Sequence, residues 1–394
     1  MAAAVPAAAS SFLDALRTLP SLLAAERTLN PLTLLFSPNT TSALHVPLGL
    51  SLALIPTSFL LTHVSGNVGW VDRVYTTLPV VSSAAIAAWA LVNPNAEAFG
   101  ASLPRLWIML ALQVLWSARL TWHTARRGLY DLTAEDYRYA TLRKILPKWA
   151  FELIHIFAVA IPQPILIFAL SIPVAAALQP AANLSAGPGG YALPLSAVSF
   201  LVPAHRSAPG STPALHLLDG FFALAGLGII ALQAAGDNAM YRFQEAKHAA
   251  MRGSEQKLDA RGIPLPIDVP AGFWPGFPTK GLHALIRHPN FVAEQLFWLN
   301  QGLFAVFASV HPPAQACLGP AFFLSLLFCA STRLTEWITT QKYPAYSVYQ
   351  RLVGMFLPQE TAIKWIWTTL NGTRAELQHE LTTPPAKPAS AAAE

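Results

Sequence analysis

The chain has 394 residues, of which 54% are hydrophobic and only 11% charged, and its net charge is +5. Its pI is near 9.3 and its mean hydropathy +0.43. Soluble domains carry about 25% charged residues, so this chain lacks the charge to coat a water-facing surface, and the two soluble domains that its length alone would allow are excluded. Cys317 and Cys329, its two cysteines, fall in one apolar run and offer neither a disulfide framework nor a metal-ligand spacing.

Residues 1–40 form an Ala-rich segment. Asp14, Arg17, Glu26 and Arg27 interrupt its apolar positions, so it lacks the basic start and unbroken apolar stretch of a cleaved signal peptide. The predicted membrane domain covers 41–360. Within it, runs of the length needed to cross a hydrocarbon core of about 30 Å lie at 44–63, 77–93, 101–123, 149–178, 214–234, 291–312 and 315–335. The fourth is over-long and contains Ile161-Pro162-Gln163-Pro164, which predicts a kinked helix whose freed backbone groups are satisfied by its neighbours. Residues 179–213, rich in Pro, Gly, Ser and Ala, read as an irregular loop. Residues 361–394 form a tail, disordered after about 380, where Pro384, Pro385 and Pro388 fall. The expected fold class is an all-α polytopic integral membrane protein with about seven transmembrane helices.

Lys and Arg are unevenly shared among the loops. Arg119, Arg126, Arg127, Arg138, Arg143, Lys144 and Lys148 follow the third run, and Arg242, Lys247, Arg252, Lys257, Arg261, Lys280 and Arg287 follow the fifth. The loops after the second and fourth runs hold at most Arg105, at the start of the third run, and Arg206. By the positive-inside rule the basic loops and the C-terminus are cytosolic, and the N-terminus is lumenal or outside.

Ionisable residues inside membrane helices are costly and are functional candidates by default. They gather at the cytosolic ends of the last three runs. Gln233 and Asp237 are one turn apart on one face. Arg287-His288-Pro289-Asn290 opens the sixth helix, with proline in the first turn where its missing N–H costs nothing. Asn290, Glu294, Trp298 and Gln301 then share a stripe, as do Ser325, Cys329, Thr332 and Glu336 on the seventh, with Arg333 beside them. Mutual satisfaction across helix interfaces, or snorkelling to headgroups, accounts for any one of these groups. Acids, amides, arginines and a histidine converging beside a helix N-terminus suit a phosphate-bearing cofactor entering from the cytosol. Glu152 and His155, three residues apart, read as a mutually satisfied pair, and His216 and Asp219 as interfacial. The eleven histidines include no His-x-x-x-His spacing, so no zinc or di-iron site is expected.

At three blocks the sequence resembles the steroid 5α-reductase superfamily, in its branch of uncharacterised reductase-like membrane proteins named for a domain of unknown function. The first block is Trp116-Ser117-Ala118-Arg119-Leu120-Thr121, continuing to Glu135-Asp136-Tyr137-Arg138-Tyr139, and the second is Gly236-Asp237 with Phe243-Gln244 and Lys247. The third and strongest runs from Gly281 through Arg287-His288-Pro289-Asn290-Phe291 and Glu294 to Ser331-Thr332-Arg333, Glu336, Lys342-Tyr343-Pro344, Tyr346 and Tyr349. The resemblance covers about 105–358. It implies seven helices, NADPH held at the cytosolic ends of the C-terminal helices, and hydride addition to a C=C bond conjugated with a carbonyl. Carried over by position, Asp237, Asn290 and Glu294 are expected cofactor contacts, with Arg287, Arg333 and Tyr343. His288 and Glu336 complete that set. Two positions depart from the pattern: Phe291 stands where many members have Tyr, and Met240 where some have a basic residue.

Reducing an enone needs an acid on the carbonyl oxygen as negative charge builds there, in a pocket that keeps water away. Tyr130, Glu135 and Tyr137 are the candidates by block order, and the choice among them stays open. The expected protein is therefore an NADPH-dependent reductase of a lipid or steroid-like substrate in the endoplasmic reticulum membrane, with membrane lipids and no nucleic acid as partners. A membrane methyltransferase using S-adenosylmethionine, of the isoprenylcysteine methyltransferase type, and a non-catalytic lipid-binding protein are the rival readings.

Overall fold

The computed structural model describes residues 12–28, 30–93, 103–178, 217–251, 257–308 and 314–385. The loop expected at 179–213, His216 and the tail beyond 385 lie outside these residues. Among the described residues every regular element is helical. The chain folds as two compact units interleaved along the sequence, one from 1–136, 148–230 and 295–326, the other from 137–147, 231–294 and 327–394.

Two helices precede the first long apolar run, where the sequence suggests only low complexity: α1 (Phe12–Glu26) and α2 (Pro31–Phe36). On α1, Ala15, Leu19 and Leu22 are spaced four and three apart, so they share one face and all are buried. Asn30 caps α2 by accepting from the Leu32 amide at 3.0 Å. Next come α3 (His45–Ser65), α4 (Trp70–Tyr75), α5 (Leu78–Val92) and α6 (Leu103–Arg126). Arg73 of α4 is buried and donates to the carbonyls of Leu129 at 2.9 Å, Asp131 at 2.9 Å and Ala134 at 2.7 Å. A loop with no regular structure of its own is thereby fixed.

After α7 (Tyr137–Ile145), the over-long fourth run folds as α8 (Lys148–Ile154), a π-turn over His155–Ala160, α9 (Pro162–Ala169) and α10 (Ile172–Ala177). The interruption foreseen at Pro162 takes the form of a widened turn. A proline ring collides with the carbonyl four residues back, and one extra residue in the turn removes that collision. The Ile161 amide accordingly reaches the Ile156 carbonyl at 3.2 Å. Further along are α11 (Leu217–Ala250), α12 (Leu282–Leu285), α13 (Pro289–Ala308), α14 (Ala314–Lys342), α15 (Tyr346–Leu352), α16 (Pro358–Leu370) and α17 (Arg374–Thr382).

Among the described residues, four stretches are long and apolar enough to cross a membrane: His45–Ser65, Lys148–Ala177, Leu218–Ala250 and Gln315–Lys342. Leu78–Val92 is apolar but shorter. The chain is therefore a membrane protein by the length and composition of its helices.

Asp219, read from the sequence as interfacial, is buried within the protein and accepts from Arg105 Nε at 2.8 Å. A carboxylate at a helix start stays at the headgroups unless a cation meets it within the protein, and Arg105 of α6 does so. Glu152 and His155 do approach, at 3.6 Å, and His63 of α3 lies the same distance from Glu152. In the same unit Trp116 stacks with Phe297 and meets Trp298 edge-on, with ring centroids 5.7 and 4.9 Å away. Trp298 also donates to the Tyr75 hydroxyl at 3.0 Å, which anchors this part of the sixth-helix stripe by packing.

Candidate functional site

The second unit gathers most of the residues singled out in the sequence, in three groups. The first is a ladder between α11 and the start of α13. Gln233 Nε2 donates to Glu294 Oε2 at 2.9 Å, and one turn further along Asn290 Nδ2 donates to Asp237 Oδ1 at 3.3 Å. Gly236 lies between the rungs, and a Cβ there would come within 3.3 Å of the Asn290 amide nitrogen. The missing side chain lets the helices approach closely enough for both rungs to form. Gln233, Asp237 and Glu294 are buried. Gln233 Oε1 accepts no hydrogen bond, and neither does the buried Thr332 hydroxyl of α14 make one. Such orphaned atoms are uncommon in a folded interior.

The second group is a knot around Glu336. Arg287 holds its carboxylate in a two-pronged pair, Nε to Oε1 at 2.6 Å and NH2 to Oε2 at 3.0 Å. His288 Nε2 lies 2.8 Å from Oε1, the Tyr346 hydroxyl donates to Oε1 at 3.1 Å, and Gln350 Nε2 donates to Oε2 at 2.9 Å. A carboxylate offers about four lone-pair positions, so this one is saturated. Arg287 also donates to the Val353 carbonyl. The backbone reinforces the join, because the Arg287 amide donates to Gly354 O at 2.9 Å and the His288 amide to Met355 O at 3.3 Å. Burial lowers the His288 pKa against the pull of Glu336, and burial raises that of Tyr346, which stays a donor. Arg287, His288 and Glu336 thus spend their hydrogen bonds on one another and fix the turn into α13, with Pro289 in its first position.

The third group surrounds Lys247 of α11. Its ammonium is buried and donates to the Gly276 carbonyl at 2.9 Å and the Tyr343 hydroxyl at 2.8 Å. It also lies 4.9 Å from the centre of the Tyr343 ring. Among the described residues no carboxylate pairs with it. Arg333 is exposed.

Of the remaining candidates, Tyr130 and Glu135 belong to the first unit. The Tyr130 hydroxyl bonds that of Thr76 at 2.6 Å, and Glu135 accepts from the Val68 amide at 3.1 Å. Tyr137 opens α7, exposed, with Lys342 Nζ 5.5 Å from its ring centre. Among the described residues no group of three or more His, Cys, Asp or Glu could hold a metal ion. Sequence reasoning did not single out Gln350, whose side chain completes the Glu336 shell. A lone glutamine after an aromatic-rich turn carries no signal of its own.

The model of a protein family described as a protein of unknown function (DUF1295) matches residues 58–188 and 192–353. The chain belongs to that family. It is also 31% identical over 322 residues to an uncharacterised protein of Schizosaccharomyces pombe, covering 78% of this chain and 80% of the other. No solved structure matches it.

His283, just before the knot, carries a pH dependence. It is buried, its Nδ1 has no hydrogen-bond partner, and burial, with His288 adding to it, pushes its pKa down from 6.5 to about 4. The unfolded chain therefore binds the proton more tightly than the folded one. Stability is intact above pH 6.5 and falls as pH drops toward 4. Between pH 7 and pH 5 the loss is about 2 kcal/mol. Thermal melts of detergent-purified protein at the two pH values should show it, and His283→Phe should reduce the difference, leaving the part that the lowered pKa of His288 contributes.

Proposed function

We propose that this protein is a membrane oxidoreductase that reduces a C=C bond conjugated with a carbonyl in a lipid or steroid-like substrate, with NADPH as hydride donor. The observation that carries the reading is Lys247, a buried cation resting on neutral oxygens. Burying an ammionium without an opposite charge is expensive, and a bound anion removes the expense. Arg333, exposed on α14, adds a second cation suited to phosphate. The orphaned Gln233 oxygen is left able to accept a hydrogen bond and the Thr332 hydroxyl able to give one, as a carboxamide or ribose requires. Glu294 and Asp237 orient the two amides of the ladder, while the Glu336 knot positions the chain around them. NADPH, when bound, supplies the hydride. The resemblance to the steroid 5α-reductase superfamily points to the same chemistry. The reading includes seven membrane crossings, a lumenal N-terminus, a cytosolic C-terminus and residence in the endoplasmic reticulum. The spacing of the apolar runs and the bias of Lys and Arg support it.

Asp237 and Glu294 favour a second reading, because buried carboxylates would also attract the sulfonium and ammonium of S-adenosylmethionine. Thermal shift separates the two. NADPH at 100 times its Kd should stabilise the purified protein by about 2.7 kcal/mol, NADH less, and S-adenosylmethionine not at all. Lys247→Met should remove most of the NADPH effect, and Arg333→Ala should narrow the gap between the two nicotinamides. Stabilisation by S-adenosylmethionine with none by NADPH would establish the methyltransferase instead, and silence from both would leave a lipid-binding protein.

A further inference from the structure

The helix α16 is built inside out. Thr361, Lys364 and Thr368 face the protein, while its large apolar residues face away. The Thr361 hydroxyl donates to the Leu285 carbonyl at 2.5 Å and accepts from the Gly354 amide at 2.7 Å. Lys364 donates to the Gln350 carbonyl at 2.7 Å and pairs with Glu360 at 2.7 Å. Thr368 is buried on the same side. Successive residues turn by about 100°, so Ile363, Ile366, Trp367 and Leu370 form one stripe opposite these groups. They are between 52% and 77% exposed. Trp365 and the preceding Leu357 are exposed as well. A helix at a water-facing surface shows the reverse arrangement.

We propose that α16 lies in the plane of the membrane, its apolar stripe seated at the boundary between headgroups and acyl chains of the bilayer that the chain spans. Three observations select lipid as the occupant. Residues 343–357 alone separate α16 from α14, whose Gln315–Lys342 stretch is suited to cross a membrane, so the helix is tethered at headgroup depth. Both tryptophans of α16 are exposed, and indole rings favour that depth. The helix's charged residues, Glu360 and Lys364, pair with each other, and the stripe itself consists of aliphatic and indole groups as in interfacial helices. The inference is independent of the reductase reading.

The test places nitroxide labels on the full chain, reconstituted in phosphatidylcholine vesicles. Single-cysteine variants Ile363→Cys, Ile366→Cys and Leu370→Cys are made in a Cys317→Ala/Cys329→Ala background, with Gln378→Cys on α17 as the water-facing control. The ratio of oxygen to nickel-chelate accessibility should be several-fold higher at the three α16 positions than at 378. Equal ratios would overturn the proposal in favour of a solvent-facing helix. Exclusion of both relaxants with spin–spin broadening would overturn it in favour of a face covered by a second copy. A second measurement leaves the cysteines in place. Vesicles with brominated acyl chains should quench the fluorescence lost in Trp367→Phe more than the protein's average, and absence of that excess would also overturn the proposal.

Discussion

Replacing Glu336 with alanine is expected to lower stability by about 3–5 kcal/mol, the cost of breaking a buried ion pair by removing one partner. The guanidinium of Arg287 would remain buried, and three further donors, on His288, Tyr346 and Gln350, would lose their acceptor together. Unfolding half-lives in detergent at a fixed temperature provide the measure, since membrane proteins seldom unfold reversibly. Arg287→Ala should be about as damaging, and the double variant little worse than either single one, because the two residues serve one interaction. Glu336→Gln keeps two oxygen lone pairs and should fall between. A wild-type half-life for Glu336→Ala would show that α14 is held by packing alone.

Gly276→Ala is expected to cost about 3 kcal/mol from two separate sources. Gly276 has φ +99, and a Cβ there would come within 2.5 Å of two atoms of the Tyr343 ring. A left-handed backbone conformation costs a side-chain-bearing residue roughly 1–2 kcal/mol, and overpacking adds about 1–3 kcal/mol. The change also presses on the ring whose hydroxyl, with the Gly276 carbonyl, receives the Lys247 ammonium. Melting temperature and NADPH stabilisation should therefore both fall. In a Gly276→Ala/Tyr343→Ala variant the backbone cost remains and the collision with the ring disappears, leaving only the 3.1 Å approach to Val269 Cγ2, so comparison with Tyr343→Ala gives mainly the first source. If Gly276→Ala behaved as wild type in both measurements, the close approach would have no consequence for Lys247.

Apolar length was the strongest signal in the sequence because a hydrocarbon core demands it over a whole helix. Each run that it marks is helical along most of its described length. Stripes within one helix were also readable: Gln233 with Asp237 and Asn290 with Glu294 need only the 3.6-residue period. What meets across helices was not readable. Arg287 and Glu336 are 49 residues apart, and nothing local in either segment specifies the other. The same holds for His63 with Glu152, and for Arg105 with Asp219, which are 114 residues apart. Proline at 162 gave the place of the interruption in the fourth run, but not that a π-turn would absorb it. Most of α16 and all of α17 fall in the 361–394 tail, because a short apolar stripe with no core to face carries no local mark of its role.

The order of the Glu336 partners along the chain bears on how the protein is made. Synthesis runs from the N-terminus, so Arg287 and His288 leave the ribosome before Glu336, and Tyr346 and Gln350 leave after it. A charged residue entering a membrane helix alone carries a penalty of about 2.5–3.5 kcal/mol at mid-depth. Here the guanidinium is already waiting when the carboxylate of α14 emerges, and the pair can close during insertion. The hydroxyl and amide of α15 then complete the shell. A nascent chain ending at Lys342 would hold the ion pair but lack those last two donors, so full release from the insertion machinery would coincide with the arrival of α15.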